Sequence, residues 1–302
     1  MPERAWFPFP RFMTPALRKS LYSGRGTRTV SRNGVLSGMN ILLTNDDGIE
    51  AVGLATMQRA LEGFGELWIV APEREQSATS HSLTLHDPLR VRRLGERVFS
   101  VSGTPTDCVL VAVRGIRGLM EPKPDLVVSG INHGPNMGDD ITYSGTVAAA
   151  IEGRLLGLPA IAFSNAAWHP DHWETSAEAV KRLTRLFLDD ARLRDALINV
   201  NIPDLPLEEI RGVRVTYLGK RRYRDEIEAR TDPRGRMYYW IGGEPPVWEP
   251  DPLSDFGAVS AGSISVTPLR MDWTARDAFT LFGDWERAWS AFPSRQGSEK
   301  PR

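Results

Sequence analysis

Two adjacent aspartates, Asp46 and Asp47, directly follow a short apolar run and precede Gly48. Neighbouring carboxylates repel each other, so a bound cation would stabilise the pair. Hard divalent ions take oxygen ligands of this kind. Helix capping and turn formation are the ordinary alternative for an Asp-Asp-Gly sequence. The pair therefore predicts a metal site only if further oxygen ligands lie nearby.

Two other segments supply such ligands. Ser77 follows a second apolar run, and Asn132 follows a third. These two side chains and the two aspartates would suit one Mg²⁺ or Mn²⁺ ion, whereas Zn²⁺ would favour histidine and cysteine, which are scarce here. We therefore predict one divalent cation per subunit, with Asp46, Asp47, Ser77 and Asn132 as its ligands.

An anion site is predicted where Ser144, Gly145 and Thr146 open a helical segment. The first N–H groups of a helix have no partner within it and, with hydroxyls beside them, bind anions. A helix cap without a ligand is the alternative. A metal site and an anion site in one crevice would together bind a phosphate ester. In the preceding loop we assign Asn136 to phosphate binding, and for His133 we expect a loop hydrogen bond rather than catalysis.

Regular elements precede these segments. The apolar runs at 39–44, 67–71 and 125–129 predict buried strands, and the spacing of Leu54, Met57, Leu61 and Phe64 predicts a helix between the first two. We predict a Rossmann-like, doubly wound and mostly parallel α/β sheet over residues 39–205, whose strand ends would bring the three loops together. The other elements predicted there are a hairpin at 89–101, a helix at 105–113, a loop at 130–145, a helix at 146–156, a strand at 159–163, a helix around 183–188 and a strand at 197–201.

The pattern changes after Pro206. Short strands are predicted at 213–217, 237–241 and 263–267, between long loops rich in proline, glycine and charge. We expect residues 206–302 to form a β-rich oligomerisation extension that ends in a helix at 284–292. Its aromatic residues, Tyr238 to Trp240, would either contact a partner subunit or cover the edge of their own sheet.

Composition and charge exclude several classes of protein. The chain has 302 residues, is 41% hydrophobic and carries 37 basic and 38 acidic side chains, an ordinary globular composition. Seven of the basic residues lie in the proline-interrupted segment 1–38, which we expect to be a disordered extension; a transit segment or an upstream start are the alternatives. The remaining acidic body argues against nucleic-acid binding. We expect no membrane span, and the single cysteine, Cys108, fits a cytoplasmic location.

Motifs of other enzyme classes are missing. The first strand is not followed by Gly-x-Gly-x-x-Gly, which argues against dinucleotide binding, and the chain has no P-loop sequence. It also has no Gly-x-Ser-x-Gly nucleophile motif for acyl transfer.

Four segments resemble the signatures of the SurE family, stationary-phase survival proteins that act as nucleotide phosphatases. These segments are 39–48 (MNILLTNDDG), 103–108 (GTPTDC), 129–140 (SGINHGPNMGDD) and 143–150 (YSGTVAAA). The resemblance runs from Met39 to about Ala275. It implies metal-dependent hydrolysis of nucleoside monophosphates, with 5′ and often 3′ esters accepted and polyphosphate shortened by some members. It also implies a C-terminal extension exchanged between subunits of a homodimer or homotetramer.

The family motifs fall on the same residues. By resemblance, the metal ligands are the four named above, and the phosphate-contacting loop is Ser144 to Thr146. One departure concerns the position after the ligand serine, where the family usually has glycine and this chain has Ala78.

These observations predict a metal-dependent phosphomonoesterase acting on nucleotides, with Asp46 and Asp47 as catalytic residues. The cation would polarise a phosphoryl oxygen and orient the attacking water; alternatively, one aspartate attacks and forms an aspartyl-phosphate. A nucleotide- or phosphate-sensing protein without turnover is the second hypothesis, and a structural oligomer built around the aromatic extension is the third.

Overall fold

The computed structural model describes residues 38–115, 122–222, 225–243 and 247–291. Almost all of the predicted N-terminal extension, residues 1–37, lies outside the described residues, as does the last residue of the predicted terminal helix. No helix in the described part of the chain is long and apolar enough to cross a membrane.

The described residues contain thirteen strands and seven α-helices. The strands are β1 (Asn40–Thr44), β2 (Glu66–Pro72), β3 (Val91–Arg93), β4 (Val98–Val101), β5 (Leu126–His133), β6 (Ala160–Asn165), β7 (Leu197–Ile202), β8 (Val213–Val215), β9 (Arg221–Arg222), β10 (Asp225–Thr231), β11 (Met237–Gly243), β12 (Val247–Trp248) and β13 (Ile264–Pro268). The helices are α1 (Val52–Leu61), α2 (Pro105–Leu110), α3 (Gly145–Leu155), α4 (Trp173–Asp189), α5 (Asp255–Ser260), α6 (Phe279–Phe282) and α7 (Trp285–Ala291).

Nine of the strands form one sheet in the order β3-β4-β2-β1-β5-β6-β7-β13-β8. The six strands from β4 to β7 in this order are all parallel. The chain winds outward from β1 through β2 to β4 on one side, and from β5 through β6 to β7 on the other. The predicted doubly wound α/β fold is therefore confirmed. The winding reverses between β1 and β5, and ligands bind beyond the carboxyl ends of the strands at such a point.

Burial on both faces explains the composition of the central strands. All five residues of β1 are buried, and so are the apolar residues of β5, β6 and β7. Helices cover both faces of a parallel sheet, so its strands are nearly continuous apolar runs. On one face, Leu54, Met57 and Leu61 of α1 pack with Val180 and Phe187 of α4 in one hydrophobic cluster. This core holds the carboxyl ends of β1 and β5 in fixed positions.

Two boundaries differ from the sequence-based expectation. The sheet does not end near residue 205, because β13 pairs antiparallel with β7 and β8 pairs parallel with β13. The strand predicted at 125–129 continues as β5 to His133, with a register irregularity between Ser129 and Asn132. The segment predicted as a loop from residue 130 therefore starts as a strand, and Asn132 lies within the sheet.

The C-terminal strands β10 and β11 form a separate antiparallel hairpin, which we call the arm. Tyr239 and Trp240 of the arm are 60% and 58% exposed, so they are not buried against the sheet of their own chain. Residues 269–302 form a second unit, whose described part contains α6 and α7. Within it, the rings of Phe282 and Trp285 meet edge to face.

Candidate active site

Asp46 lies at the end of β1 and directly contacts the start of α3. The Thr146 hydroxyl donates a hydrogen bond to Asp46 Oδ1. A Cβ on Gly145 would lie 2.7 Å from the Asp46 Cβ, so only glycine allows this approach. The helix is capped by Ser144, whose Oγ accepts from the Val147 N–H at 3.0 Å. The end of β1 and the start of α3 are thus in direct contact and belong to one site.

The two aspartates are buried beside each other, and this affects their protonation. Burial raises the pKa of Asp46 from 3.8 to about 6, although the bond from Thr146 lowers it, and the charge of Asp47 adds to the rise. Burial also raises the pKa of Asp47, against the lowering effect of His133. Both carboxyl groups therefore have a raised pKa, and a cation bound beside them would stabilise their charged forms.

The carboxyl end of β5 carries Asn132 and brings His133 to Asp47. The Nδ1 atom of His133 lies 2.9 Å from Asp47 Oδ1. The Asn132 amide nitrogen donates to the carbonyl oxygens of His133 and Gly134, at 3.1 and 2.8 Å. The amide oxygen of Asn132 therefore remains available as a ligand. His133 thus makes a close charge contact with the catalytic candidate Asp47, and the hydrogen bond expected of it stays a prediction.

The loop after β2, residues 73–90, is more exposed. The Gln76 N–H donates to the Asp46 carbonyl oxygen at 2.7 Å, which joins this loop to the aspartates. Ser77 is exposed, and its hydroxyl donates to Glu75 at 2.8 Å. Ser77 is therefore the neighbour of Gln76, which contacts the loop after β1. The Ser77 hydroxyl itself, however, is directed to the exposed Glu75 carboxylate. Its role as a metal ligand stays a prediction.

Polar contacts fasten the same loop to its surroundings. The N–H and hydroxyl of Ser80 donate to the carbonyl oxygens of Tyr143 and Thr142, at 3.1 and 2.7 Å. The His81 Nε2 atom lies 3.0 Å from Glu152, a mostly buried residue of α3. The loop that carries Ser77 is thereby connected to the helix that carries Thr146.

Ala78, which stands where the family usually has glycine, has a φ of 57°. This left-handed conformation is favourable for glycine and costs energy for residues with a Cβ atom. The loop adopts this conformation even with alanine at position 78. Its backbone path is therefore one that glycine, the residue usual in the family, could also adopt.

Asn136 lies in a buried cluster of amides rather than in an open position. Its amide nitrogen donates to Ser164 at 2.8 Å, and its carbonyl oxygen accepts from Asn199 and Asn201. The Asn201 Oδ1 atom also accepts from its N–H. These contacts anchor the loop to β6 and β7, and phosphate binding by Asn136 stays a prediction. Sequence reasoning missed Asn199 and Asn201, although two asparagines on one face of an apolar strand were a visible signal.

A second cluster, also missed, holds the turn Gly138–Thr142 that precedes Ser144. The buried carboxylate of Asp255 accepts from the N–H groups of Gly138 and Gly219, both at 2.8 Å. Arg221 forms an ion pair with Asp140. Burial raises the pKa of Asp140 to about 6, and the charges of Asp139 and Asp255 contribute. The segment after residue 206 thus supports the site through this turn.

The oxygen donors fit a hard divalent ion better than a softer one. The described residues contain no group of three or more His, Cys, Asp or Glu side chains that could hold a metal. A cation here would therefore depend on the carboxylates of Asp46 and Asp47 with the amide oxygen of Asn132 and water, a set typical of Mg²⁺. These donors lie at the switch point of the sheet.

The mostly parallel, doubly wound sheet, with paired acids and a helix start at its switch point, defines a Rossmann-like α/β protein. Residues 41–225 match the family model described as Survival protein SurE. The chain belongs to the SurE family.

Individual relatives agree with this assignment. A protein of Gemmatimonas aurantiaca named 5′-nucleotidase SurE is 53% identical over 251 residues, which cover 82% of this chain and 98% of that protein. A protein of the same name from Geobacter sulfurreducens is 49% identical over 82% of this chain and 94% of its own length. The crystal structure of the SurE protein from Aquifex aeolicus is 42% identical, with a TM-score of 0.73 over 82% of this chain and 99% of that one.

Proposed function

We propose that this protein is a metal-dependent 5′-nucleotidase that hydrolyses nucleoside 5′-monophosphates to nucleoside and phosphate. The observation that carries the proposal is the direct contact of Asp46 with the start of α3 at the switch point of the sheet. The residues that we propose as cation ligands and as anion donors are thereby adjacent, as a phosphate ester requires. The relatives named 5′-nucleotidase SurE support the choice of substrate.

Each part of the site has a distinct task in this proposal. The Val147 N–H is bonded to Ser144, and Thr146 donates to Asp46, so the N–H groups that remain at the start of α3 would bind the phosphoryl oxygens and stabilise the negative charge that develops there. Thr146 holds Asp46, and His133 holds Asp47, so that both carboxylates stay in one orientation. The buried environment excludes water around these charges and strengthens their interactions.

A divalent cation fits the proposal because Asp46, Asp47 and Asn132 offer oxygen atoms and the two acids need a counter-charge. When bound, such an ion would supply Lewis-acid polarisation of a phosphoryl oxygen. Mg²⁺ and Mn²⁺ are the ions that this donor set favours.

A substrate panel tests the proposal. Purified protein is assayed for phosphate release from 5′- and 3′-nucleoside monophosphates, first as prepared, then after treatment with EDTA, and then with Mg²⁺, Mn²⁺ or Zn²⁺ restored. We expect hydrolysis of the 5′ esters, loss of at least about 90% of activity after chelation, and recovery with Mg²⁺ or Mn²⁺. Binding of AMP without phosphate release would instead identify a sensing protein, and full activity in EDTA would remove the metal from the proposal.

We also propose that the protein forms a homodimer or homotetramer through its C-terminal extension. Four consecutive residues of the arm, Tyr238 to Ile241, are between 39% and 84% exposed. Contiguous exposed apolar side chains mark protein interfaces. Sedimentation of the wild type and of a Trp240→Ser, Ile241→Ser double variant tests this proposal: we expect the variant to dissociate to smaller species, and a monomeric wild type would contradict it.

A further inference from the structure

Exposed aromatic rings are rare in the part of the molecule that carries the candidate site. Among the described residues between 38 and 212, Tyr143 and Trp168 are the aromatic side chains that are more than half exposed, at 61% and 66%. Both belong to segments at the carboxyl ends of the sheet strands. A large ring left in water forgoes the stabilisation of burial, so an exposed ring at the strand ends, where ligands of such sheets bind, is a candidate binding residue.

The indole of Trp168 is held in place by Gly134, the residue that follows β5. Its six-membered ring packs on Gly134, where a Cβ would lie 2.8 Å from both Cε3 and Cζ3. The Gly134 N–H donates to the Ala167 carbonyl oxygen, and the Ala167 N–H donates to Asn165 Oδ1, at 2.8 and 2.9 Å. The ring is therefore positioned by its neighbours while most of its surface remains open.

A short series of contacts links Trp168 to the predicted metal ligands Asn132 and Asp47. Gly134, on which the ring packs, accepts a hydrogen bond from the Asn132 amide. Its neighbour His133 contacts Asp47. Trp168 follows β6, which pairs directly with β5, so the indole lies at the same edge of the sheet as His133 and the loop after β1.

We propose that Trp168 is the platform on which the base of the nucleotide stacks, and that it determines the preference for nucleotides over other phosphate monoesters. The proposal rests on the proposed function, because it needs the phosphate to be held at Asp46 and Thr146. Every nucleobase has a π face, so stacking on an aromatic ring binds all bases. Tryptophan offers the largest such surface and keeps few conformations. Purines, with their larger rings, gain more from it than pyrimidines.

Kinetics of Trp168→Ala test the proposal with three substrates, namely AMP, CMP and ribose 5-phosphate. We expect KM for AMP to rise about 10-fold and KM for CMP to rise less. Both kcat and KM for ribose 5-phosphate should stay within about twofold of the wild type. The kcat for AMP should change little, because the base is remote from the reacting phosphate. Trp168→Phe keeps a ring and should restore most of the affinity for AMP.

Two further variants serve as controls. Trp68→Phe changes a partly buried tryptophan that stacks on Phe99 in the sheet, and we expect its substrate preference to match the wild type. Tyr143→Ala changes the competing exposed ring. A selective loss of AMP affinity in Tyr143→Ala, with none in Trp168→Ala, would overturn the proposal.

The outcomes also separate this proposal from the proposed function. If Trp168→Ala raises KM for AMP and for ribose 5-phosphate equally, the residue does not contact the base and the stacking proposal is wrong. Phosphomonoester hydrolysis would then still stand. If the wild-type protein hydrolyses none of the three substrates, the proposed function fails and the stacking proposal fails with it.

Discussion

The loop after β1 and the loop after β2 both border the candidate site, but they are held there in different ways. In the first, Asn45 and Asp46 are 0% and 4% exposed, and the contacts to Thr146 and Gly145 are direct. In the second, Ser77 and Ala78 are exposed, and Ser80 and His81 provide polar tethers to the turn before α3 and to α3 itself.

This difference indicates a division of roles. Charges that are buried in a packed frame have fixed positions and strong interactions, so changing them should affect chemistry most. A tethered surface loop contributes less to stability, because each exposed polar contact is worth little. We therefore expect changes in the first loop to abolish turnover and changes in the second to alter it moderately.

Asp46→Asn should have the largest effect. We expect kcat for AMP to fall at least about 100-fold with Mg²⁺ or Mn²⁺ present, because the substitution removes a ligand charge. Asparagine has the same size and can still accept from Thr146, so the melting temperature should shift only slightly. Asp139→Asn, which changes an exposed acid of the turn before α3, serves as the matched control. Near wild-type activity of Asp46→Asn would show that the metal-site assignment is wrong.

Thr146→Ala should have the next largest effect. Loss of the hydroxyl removes the bond that holds Asp46 against the start of α3, so the inhibition constant of inorganic phosphate should rise about 10-fold. Thr146→Ser keeps the hydroxyl and should remain close to the wild type. An unchanged inhibition constant in Thr146→Ala would count against an anion site at the start of α3.

His81→Ala should have a moderate effect. The variant releases the Ser77 loop and removes a partner of the mostly buried Glu152 carboxylate, so we expect kcat/KM for AMP to fall about threefold and the unfolding midpoint in urea to fall modestly. His81→Asn can still donate to Glu152 and should recover most of the loss. A large loss of stability with unchanged kinetics would show that the contact serves the fold instead of the site.

Ala78→Gly should have the smallest effect, with the opposite sign. Glycine adopts the left-handed conformation without strain, so we expect the free energy of unfolding to rise by less than about 1 kcal/mol. Ala55→Gly, at an exposed position of α1, should lower it by about 0.5–1 kcal/mol. Equal destabilisation by both variants would contradict a left-handed Ala78 in solution.

Much of the fold was predictable from local patterns. The runs that became β1, β2 and β6 are apolar because both faces of the sheet are covered, and the hairpin predicted at 89–101 forms as β3 and β4. The place of β13 was not predictable, since its pairing with β7 joins segments separated by a long stretch of chain. The hydrophobic periodicity within a segment does not indicate which distant strand that segment will pair with.

The site shows the same limit. Asp46 and Thr146 were each recognised from their neighbours, but their contact spans 100 residues of sequence. Asn136 has the residue type expected of a phosphate ligand, and the structure turns its amide inward to Ser164. Trp168 carried no motif at all, and only its packing on Gly134 and its exposure mark it.

By itself, the sequence determined the residue types, the order of the elements and the acids at the end of β1, because side-chain chemistry and hydrophobic periodicity are local properties. The tertiary structure decided that the Thr146 hydroxyl meets Asp46, that the Ser77 hydroxyl meets Glu75 and that the strands after residue 206 complete the sheet. These contacts depend on how covered faces pack and on which strands become neighbours, and that choice is made by the whole core at once.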